Sequence, residues 1–298
     1  MTSTLRFLPL LACALVLSVE LAPAATVYVD NVGGDDLHDG SQSANLGGSG
    51  PVRTLQKALR ICHAGDHILL ANTGQPYRES ISLSAAKHCG TALSPFVIDG
   101  QGATLEGAEP VPADAWMHER GTVFRFHPPR SAYQQLFLDG QPATQRKLPH
   151  NETRLPLLEP LEWYRRDADI YFCVERNELP RNYDLAYSER QTGITIYHVH
   201  DVLITNLIVQ GFRIDGINVN DGGKNCEILG VISRGNGRSG ITVAGSSQAR
   251  IAECVVGDNG TEQLRVEGPS STLVEKSQLI ANTAPAITNR GAKLDVRN

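Results

Sequence analysis

The chain has 298 residues, 41% hydrophobic and 20% charged, with a formal net charge of -5 and a pI near 6.0. That length and apolar fraction support a sizeable core, and the acidic balance excludes the basic footprint by which a protein holds nucleic acid.

At the N-terminus Arg6 precedes an apolar run from Phe7 to Val19, and Ala22-Pro23-Ala24 follows as a small-residue cleavage site. This pattern predicts a secretory signal peptide over residues 1–24, its apolar part too short to cross a membrane as a helix. No later segment is apolar enough to span one, so the expected location is secreted, periplasmic or at the cell surface. Cleavage leaves Cys62, Cys89, Cys173, Cys226 and Cys254, an odd number in a compartment that permits disulfides. A bridge between Cys62, at the end of a predicted helix, and Cys89, after the next strand pair, is one candidate; no CxxC spacing suggests zinc.

Residues 25–109 read as a cap followed by short strands. Thr26-Val-Tyr-Val-Asp30 is a strand and Gly33 to Gly50 a loop rich in Gly, Ser and Asp. Thr54 to Ala64 has helical spacing of Leu55, Ala58, Leu59 and Cys62, with Thr54 as N-cap. Strands follow at His67-Ile-Leu-Leu70, Ser80-Ile-Ser-Leu83, Phe96-Val-Ile-Asp99 and Ala103-Thr-Leu-Glu106. Asp35, Asp36 and Asp39 form the densest carboxylate group in the chain. They suit either oxygen ligation of Ca2+ or a set of Asx turns.

The run Gly33-Gly-Asp-Asp-Leu-His-Asp-Gly40, with Pro51-Val-Arg-Thr-Leu-Gln-Lys-Ala-Leu59, Gly65-Asp-His-Ile-Leu-Leu70 and Tyr77-Arg-Glu-Ser-Ile81, resembles the opening of secreted bacterial proteins of the pectate-lyase-like β-helix superfamily. The resemblance implies a fold; it leaves open which of that superfamily's lyases, hydrolases, esterases or non-catalytic coils the chain is similar to.

Residues 110–191 interrupt this pattern. Val123-Phe-Arg-Phe126, Gln135-Leu-Phe-Leu-Asp-Gly140, Glu162-Trp-Tyr164 and Asp169-Ile-Tyr-Phe-Cys-Val174 predict an antiparallel, strand-rich insert between proline- and charge-rich loops. Trp163, Tyr164 and Tyr171 suit stacking on sugar rings or packing of the insert. Asn151-Glu-Thr153 and Asn259-Gly-Thr261 match the glycosylation pattern.

In residues 192–298 the segments beginning Ile194, Ile217, Ile241, Leu264 and Ile287 recur at steps of 23, 24, 23 and 23 residues. Each alternates apolar and polar positions, and two further apolar segments follow within each period, as in Val202-Leu-Ile-Thr205 and Leu207-Ile-Val209. Three short strands per period without a helix predict an all-β, right-handed parallel β-helix of 23–24-residue coils, with a short N-terminal capping helix and a β-rich insert. Asn236, Asn259 and Asn282 share a turn position suited to an asparagine ladder. Gly245, Gly268 and Gly291 share another, suited to positive φ, in the column of His198 and Asp221.

The resemblance implies that function sits on the first strand of each coil. Asp215 and Glu262, two coils apart, have backbones about 9.6 Å apart at about 4.8 Å per rung, near the carboxyl spacing of about 6.5–9.5 Å of an inverting glycosidase. With Arg265 they are the candidate catalytic groups, and Asn218, Asn220, Arg238, Glu267 and Arg290 the candidate substrate-binding ones. Of the elements that the resemblance to pectin hydrolases implies, only Ile214-Asp215-Gly216 has a counterpart; the adjacent Asp-Asp, Gly-His-Gly and Arg-Ile-Lys are missing in register. The same charges could instead form a salt-bridge network, Glu267 with Arg290 and Glu262 with Arg265 or Arg238.

Two functions fit these residues. One is a secreted polysaccharide-binding protein that also cleaves its ligand by lyase or hydrolase chemistry, with polysaccharide, acidic or neutral, as partner. The other is a non-catalytic scaffold at the cell surface or in a matrix, including a truncated relative of such an enzyme, associating end to end through its C-terminal coil.

Overall fold

A computed structural model of the chain describes residues 24–147 and 155–297. The signal-peptide segment, apart from Ala24, and the Asn151 glycosylation pattern lie outside the described residues. No helix among them is long and apolar enough to cross a membrane.

The chain winds as a parallel β-helix whose coils contribute to three sheets. The first-strand sheet stacks Ile81–Ser84, Ile194–Tyr197, Asp215–Asn220, Ser239–Val243, Glu262–Glu267 and Ile287–Arg290. The second-strand sheet has eight members, from Thr26–Val29 to Lys293–Arg297, and the third-strand sheet five, from Thr104–Glu106 to Gln278–Leu279. The register aligns the sequence period: Ile194 lies on Ile217, Ile217 on Ile241, Ile241 on Leu264 and Leu264 on Ile287. The middle members of that column are fully buried. Because strand side chains alternate, each coil sends Ile217- and Val219-type residues inward, where the coils above and below exclude water. One continuous core thus runs from Val27 to Val274.

The helix spans Leu55–Ile61, and Thr54 caps it, its hydroxyl accepting from the Lys57 N–H at 3.1 Å. Leu55, Ala58 and Leu59 are buried against the first coils. The Glu79 carboxylate accepts from the N–H groups of Leu55 and Gln56, so two more of the helix's open donors are satisfied. Burial pushes the Glu79 pKa up despite those bonds.

The five-residue turn column is left-handed throughout: φ is 53° at His198, 46° at Asp221, and 62°, 66° and 85° at Gly245, Gly268 and Gly291. Asp tolerates that region, and Gly adopts it without strain. The asparagine ladder holds for two of its three members. Asn236 Oδ1 accepts from the Phe212 N–H and Asn259 Oδ1 from the Asn236 N–H, both side chains fully buried. Asn282 instead accepts from the Asp258 N–H and donates to the Asp258 carboxylate at the surface. The interior site is taken by Gln263, whose Oε1 accepts from Asn259.

The insert forms two four-stranded antiparallel sheets, one containing Ala108–Pro110 and Leu185–Ser188, the other Val123–Phe126 and Asp169–Cys173. It has its own core of Phe126, Leu136, Trp163, Ile170, Phe172 and Tyr187. Trp163 is fully buried and donates from its indole nitrogen to the Ala143 carbonyl. Tyr171 is buried as well, and Tyr164 packs beside it, so these aromatics hold the insert together and are not open sugar platforms. The insert lies along the turns that lead from the third strand to the first. A side chain at Gly237 would place its Cβ 1.8 Å from the Tyr133 carbonyl oxygen, so glycine there permits the two backbones to meet.

Candidate functional site

The start of the first-strand sheet brings together most of the residues singled out in the sequence. Asp215, Ser239 and Glu262 are register partners on successive coils. Asp215 is 0% exposed and receives four donors: Arg238 Nε at 2.9 Å, Arg238 Nη2 at 2.5 Å, Ser239 Oγ at 2.6 Å and Asn218 Nδ2 at 2.8 Å. Ser239 Oγ also meets Thr242 Oγ1 at 2.7 Å. The bond to Asp215 outweighs desolvation and pushes the Arg238 pKa further up. On the next coil Glu262, buried as well, accepts from Arg265 Nη1 at 2.8 Å, and Arg265 Nη2 reaches Glu267 at 2.7 Å.

In this geometry neither Asp215 nor Glu262 is open to a substrate. A general base or acid must reach a reacting proton or water within hydrogen-bond distance. Asp215 has all its lone-pair directions taken and no exposed surface, and Glu262 is pinned beneath Arg265. Each is held in a buried ion pair, Asp215 with Arg238 and Glu262 with Arg265. Of the expected salt bridges, Glu262 with Arg265 is present, whereas Arg238 pairs with Asp215, and Glu267 pairs with Arg265 on its own strand instead of Arg290. Parallel stacking explains this, because Arg238 leads its strand and reaches back one coil to the start of the previous one. Asn220 and Arg290 make no side-chain hydrogen bond among the described residues and remain on the outer face.

The carboxylates of the Asp loop are occupied in the same way. Asp36 accepts from the N–H groups of Arg53 and Thr54 and from the Thr54 hydroxyl. Burial opposes ionisation there, but the Thr54 and Arg53 bonds hold its pKa below the ordinary value. Asp39 accepts from the Ser41 N–H and hydroxyl and from Ser49, which holds its pKa down to about 2. Asp35 accepts from the Leu37 N–H. Each carboxylate thus fastens its own piece of backbone, and among the described residues no group of three His, Cys, Asp or Glu is arranged to hold a metal ion.

The bridge between Cys62 and Cys89 is not formed: both are free and buried, as are Cys173, Cys226 and Cys254. Burial pushes the Cys62 thiol up to about 12, so its thiolate, the form that enters disulfide exchange, is scarce at neutral pH.

One group of polar residues was not apparent in the sequence. Glu106, Gln210 and Arg234 form one column of the third-strand sheet, in register across three coils. They line a cleft of about 330 Å³ that also includes Arg78, Gln141 and Asp184. The insert separates Glu106 from Gln210 by more than a hundred positions, so the 23–24-residue period could not align them. Glu106 is 7% exposed, and burial raises its pKa above the ordinary 4.5, with Gln210, Arg78, the Ala108 backbone and Arg234 opposing. Folding therefore binds its proton more tightly. The wild type is destabilised as pH rises from the unfolded-state value of about 4.5 towards the higher folded-state value, and the penalty persists above it. Glu106→Gln, which mimics the protonated form, is expected to match the wild type in urea unfolding at pH 4 and to exceed it at pH 7. Equal stability at both values would show that the carboxyl carries no burial penalty.

The family described as the right-handed beta helix region matches residues 174–297. The chain therefore has the right-handed parallel β-helix fold. Among solved structures, it resembles a glycoside hydrolase at 11% identity, with 87% of this chain and 81% of that one covered and a TM-score of 0.50. It is also similar to XylC in complex with xylose (14% identity, 91% and 70% covered, TM-score 0.43) and to pectate lyase Pel9A (12% identity, 87% and 54% covered, TM-score 0.42). At these identities the likenesses show the fold alone. No curated protein matches the sequence.

Proposed function

We propose that the protein is an exported polysaccharide-binding β-helix whose outer first-strand face receives the glycan. One observation carries this reading: Tyr197 with Asn220, and Glu267 with Arg290, are register pairs at the ends of the first strands, separated by the buried Ala244, and the outermost members stay open. Tyr197 is 46% exposed, Arg290 is exposed, and Asn220 pairs directly across from Tyr197. An aromatic ring, an amide, a carboxylate and a guanidinium at rungs of about 4.8 Å offer the mixture of stacking and hydrogen bonding that sugars require. Buried saturation of Asp215 and Glu262 supports binding over cleavage on this face.

Incubating the protein with acidic and neutral polysaccharides, while following unsaturated-uronate absorbance, new reducing ends and retention on a glycan array, tests both halves. The expected result is retention without cleavage, weakened about tenfold or more by Tyr197→Ala and by Arg290→Ala. Retention unchanged in both variants would place binding elsewhere, and cleavage products would overturn the non-catalytic assignment.

A further inference from the structure

The β-helix begins against a buried carboxylate. Ala25 opens the second-strand sheet: its carbonyl accepts from the His67 N–H at 2.8 Å, and Thr26 then pairs with His67 along the ladder. Its own nitrogen donates to Asp66 Oδ1 at 2.9 Å. Asp66 is 6% exposed, and its other oxygen accepts from the His63 N–H at 2.8 Å. No lysine or arginine pairs with this carboxylate among the described residues, and the His63 ring, 3.8 Å away, is 88% exposed and charged only when protonated. A buried carboxylate held by neutral donors lacks the counter-charge that offsets its desolvation.

The sequence supplies that charge at one place. Ala22-Pro23-Ala24 puts small residues three and one positions before Ala25, the pattern cut when a secretory leader is removed. Ala24 and Ala25 are exposed, whereas Val27 is already buried in the core, so the bond between the two alanines is open to a peptidase beside the start of the ladder. Cutting it adds water across the peptide bond, leaves a carboxylate on Ala24 and turns the Ala25 amide into an α-ammonium at neutral pH. We infer that Asp66 is the seat of the mature N-terminus: cleavage after Ala24 releases an ammonium that pairs with Asp66 and ties the first strand to the turn before the second. The uncut chain offers Asp66 a neutral N–H and the cut chain a full positive charge, so processing strengthens the contact that anchors this end of the coil. A cut one residue earlier would carry the charge past Asp66, and a cut one residue later would remove the nitrogen that it holds. The inference goes beyond the glycan reading and shares with it only export.

The full chain is expressed with its leader in an exporting bacterial host, and the exported protein is read by intact mass and N-terminal sequencing. The expected product starts at Ala25; a product that starts elsewhere, or a leader left uncut, overturns the inference. A second chain carries one serine inserted after Ala24, which keeps Ala22 and Ala24 in place and moves the new ammonium one residue away from Asp66. Its melting midpoint is expected about 2–4 °C below that of the wild type, and the difference should vanish in the Asp66→Asn background. Equal midpoints with and without the insertion, or an insertion penalty of the same size in Asp66→Asn, overturns the ion pair. If Asp66→Asn fails to fold, amine labelling at neutral pH still decides: the wild-type α-amine should react roughly threefold more slowly than that of the insertion variant, because the adjacent carboxylate favours its protonated form. Equal rates overturn the pairing. A leader left uncut overturns export as well, whereas an Ala25 start without the ion pair leaves export, and the glycan test on Tyr197 and Arg290, standing.

Discussion

Asp215→Ala is expected to cost the protein about 3 kcal/mol of stability, a fall of roughly 8 °C in melting temperature. The carboxylate is fully buried and holds Arg238 in a two-point ion pair while also receiving Ser239 and Asn218. Removing it leaves a guanidinium, a hydroxyl and an amide without their acceptor, and the desolvation of those groups is no longer offset. The lower end of the range for a broken buried pair applies because the Arg238 side chain is 24% exposed and can turn partly to water. Asp215→Asn keeps the shape and an acceptor oxygen and should cost less. Urea unfolding followed by circular dichroism checks both values. A catalytic carboxylate behaves in the opposite way, its loss abolishing turnover while leaving stability almost unchanged, so an unaltered melting temperature in Asp215→Ala would restore the catalytic reading.

Much of the fold was legible because a β-helix repeats its environment. Ile194, Ile217, Ile241, Leu264 and Ile287 each face the same neighbours, so selection for burial leaves the same mark every 23 or 24 residues, and the structure aligns them pair by pair. The capping helix was legible for a local reason, since Thr54 and the spacing of Leu55, Ala58 and Leu59 lie within one short segment.

The site was less legible, because a polar residue's role depends on partners that the period does not reveal. Asp215 and Glu262 occupy one column as the register implies, yet column membership says nothing of whether a carboxylate is open or sealed. Arg238 and Arg265 decide that, and their long side chains could have turned along the strand or across coils; one does each. The Asp loop misleads for a related reason: three carboxylates close in sequence each find backbone donors before they find one another. Glu106 was hidden because the insert breaks the count between it and Gln210, although the coils beneath continue in register as though it were absent.

Ile241→Ala should have the larger effect, about 4 kcal/mol, within the range for emptying a buried aliphatic site. The side chain is fully buried in the middle of the first-strand column, between Ile217 and Leu264. Fixed rung spacing prevents those neighbours from closing the gap without breaking ladder hydrogen bonds, so the cavity persists. Because each coil contacts only its neighbours, the loss is concentrated at two interfaces, and unfolding should become easier first in the coils beyond residue 241. Hydrogen exchange then separates this from a uniform loss: amides of Glu262–Glu267 and Ile287–Arg290 are expected to lose protection, while those of His67–Leu70 and Phe96–Asp99 keep it. Equal loss along the whole chain would mean that the coils unfold as one cooperative unit, with the insert and the capping helix coupling the two ends.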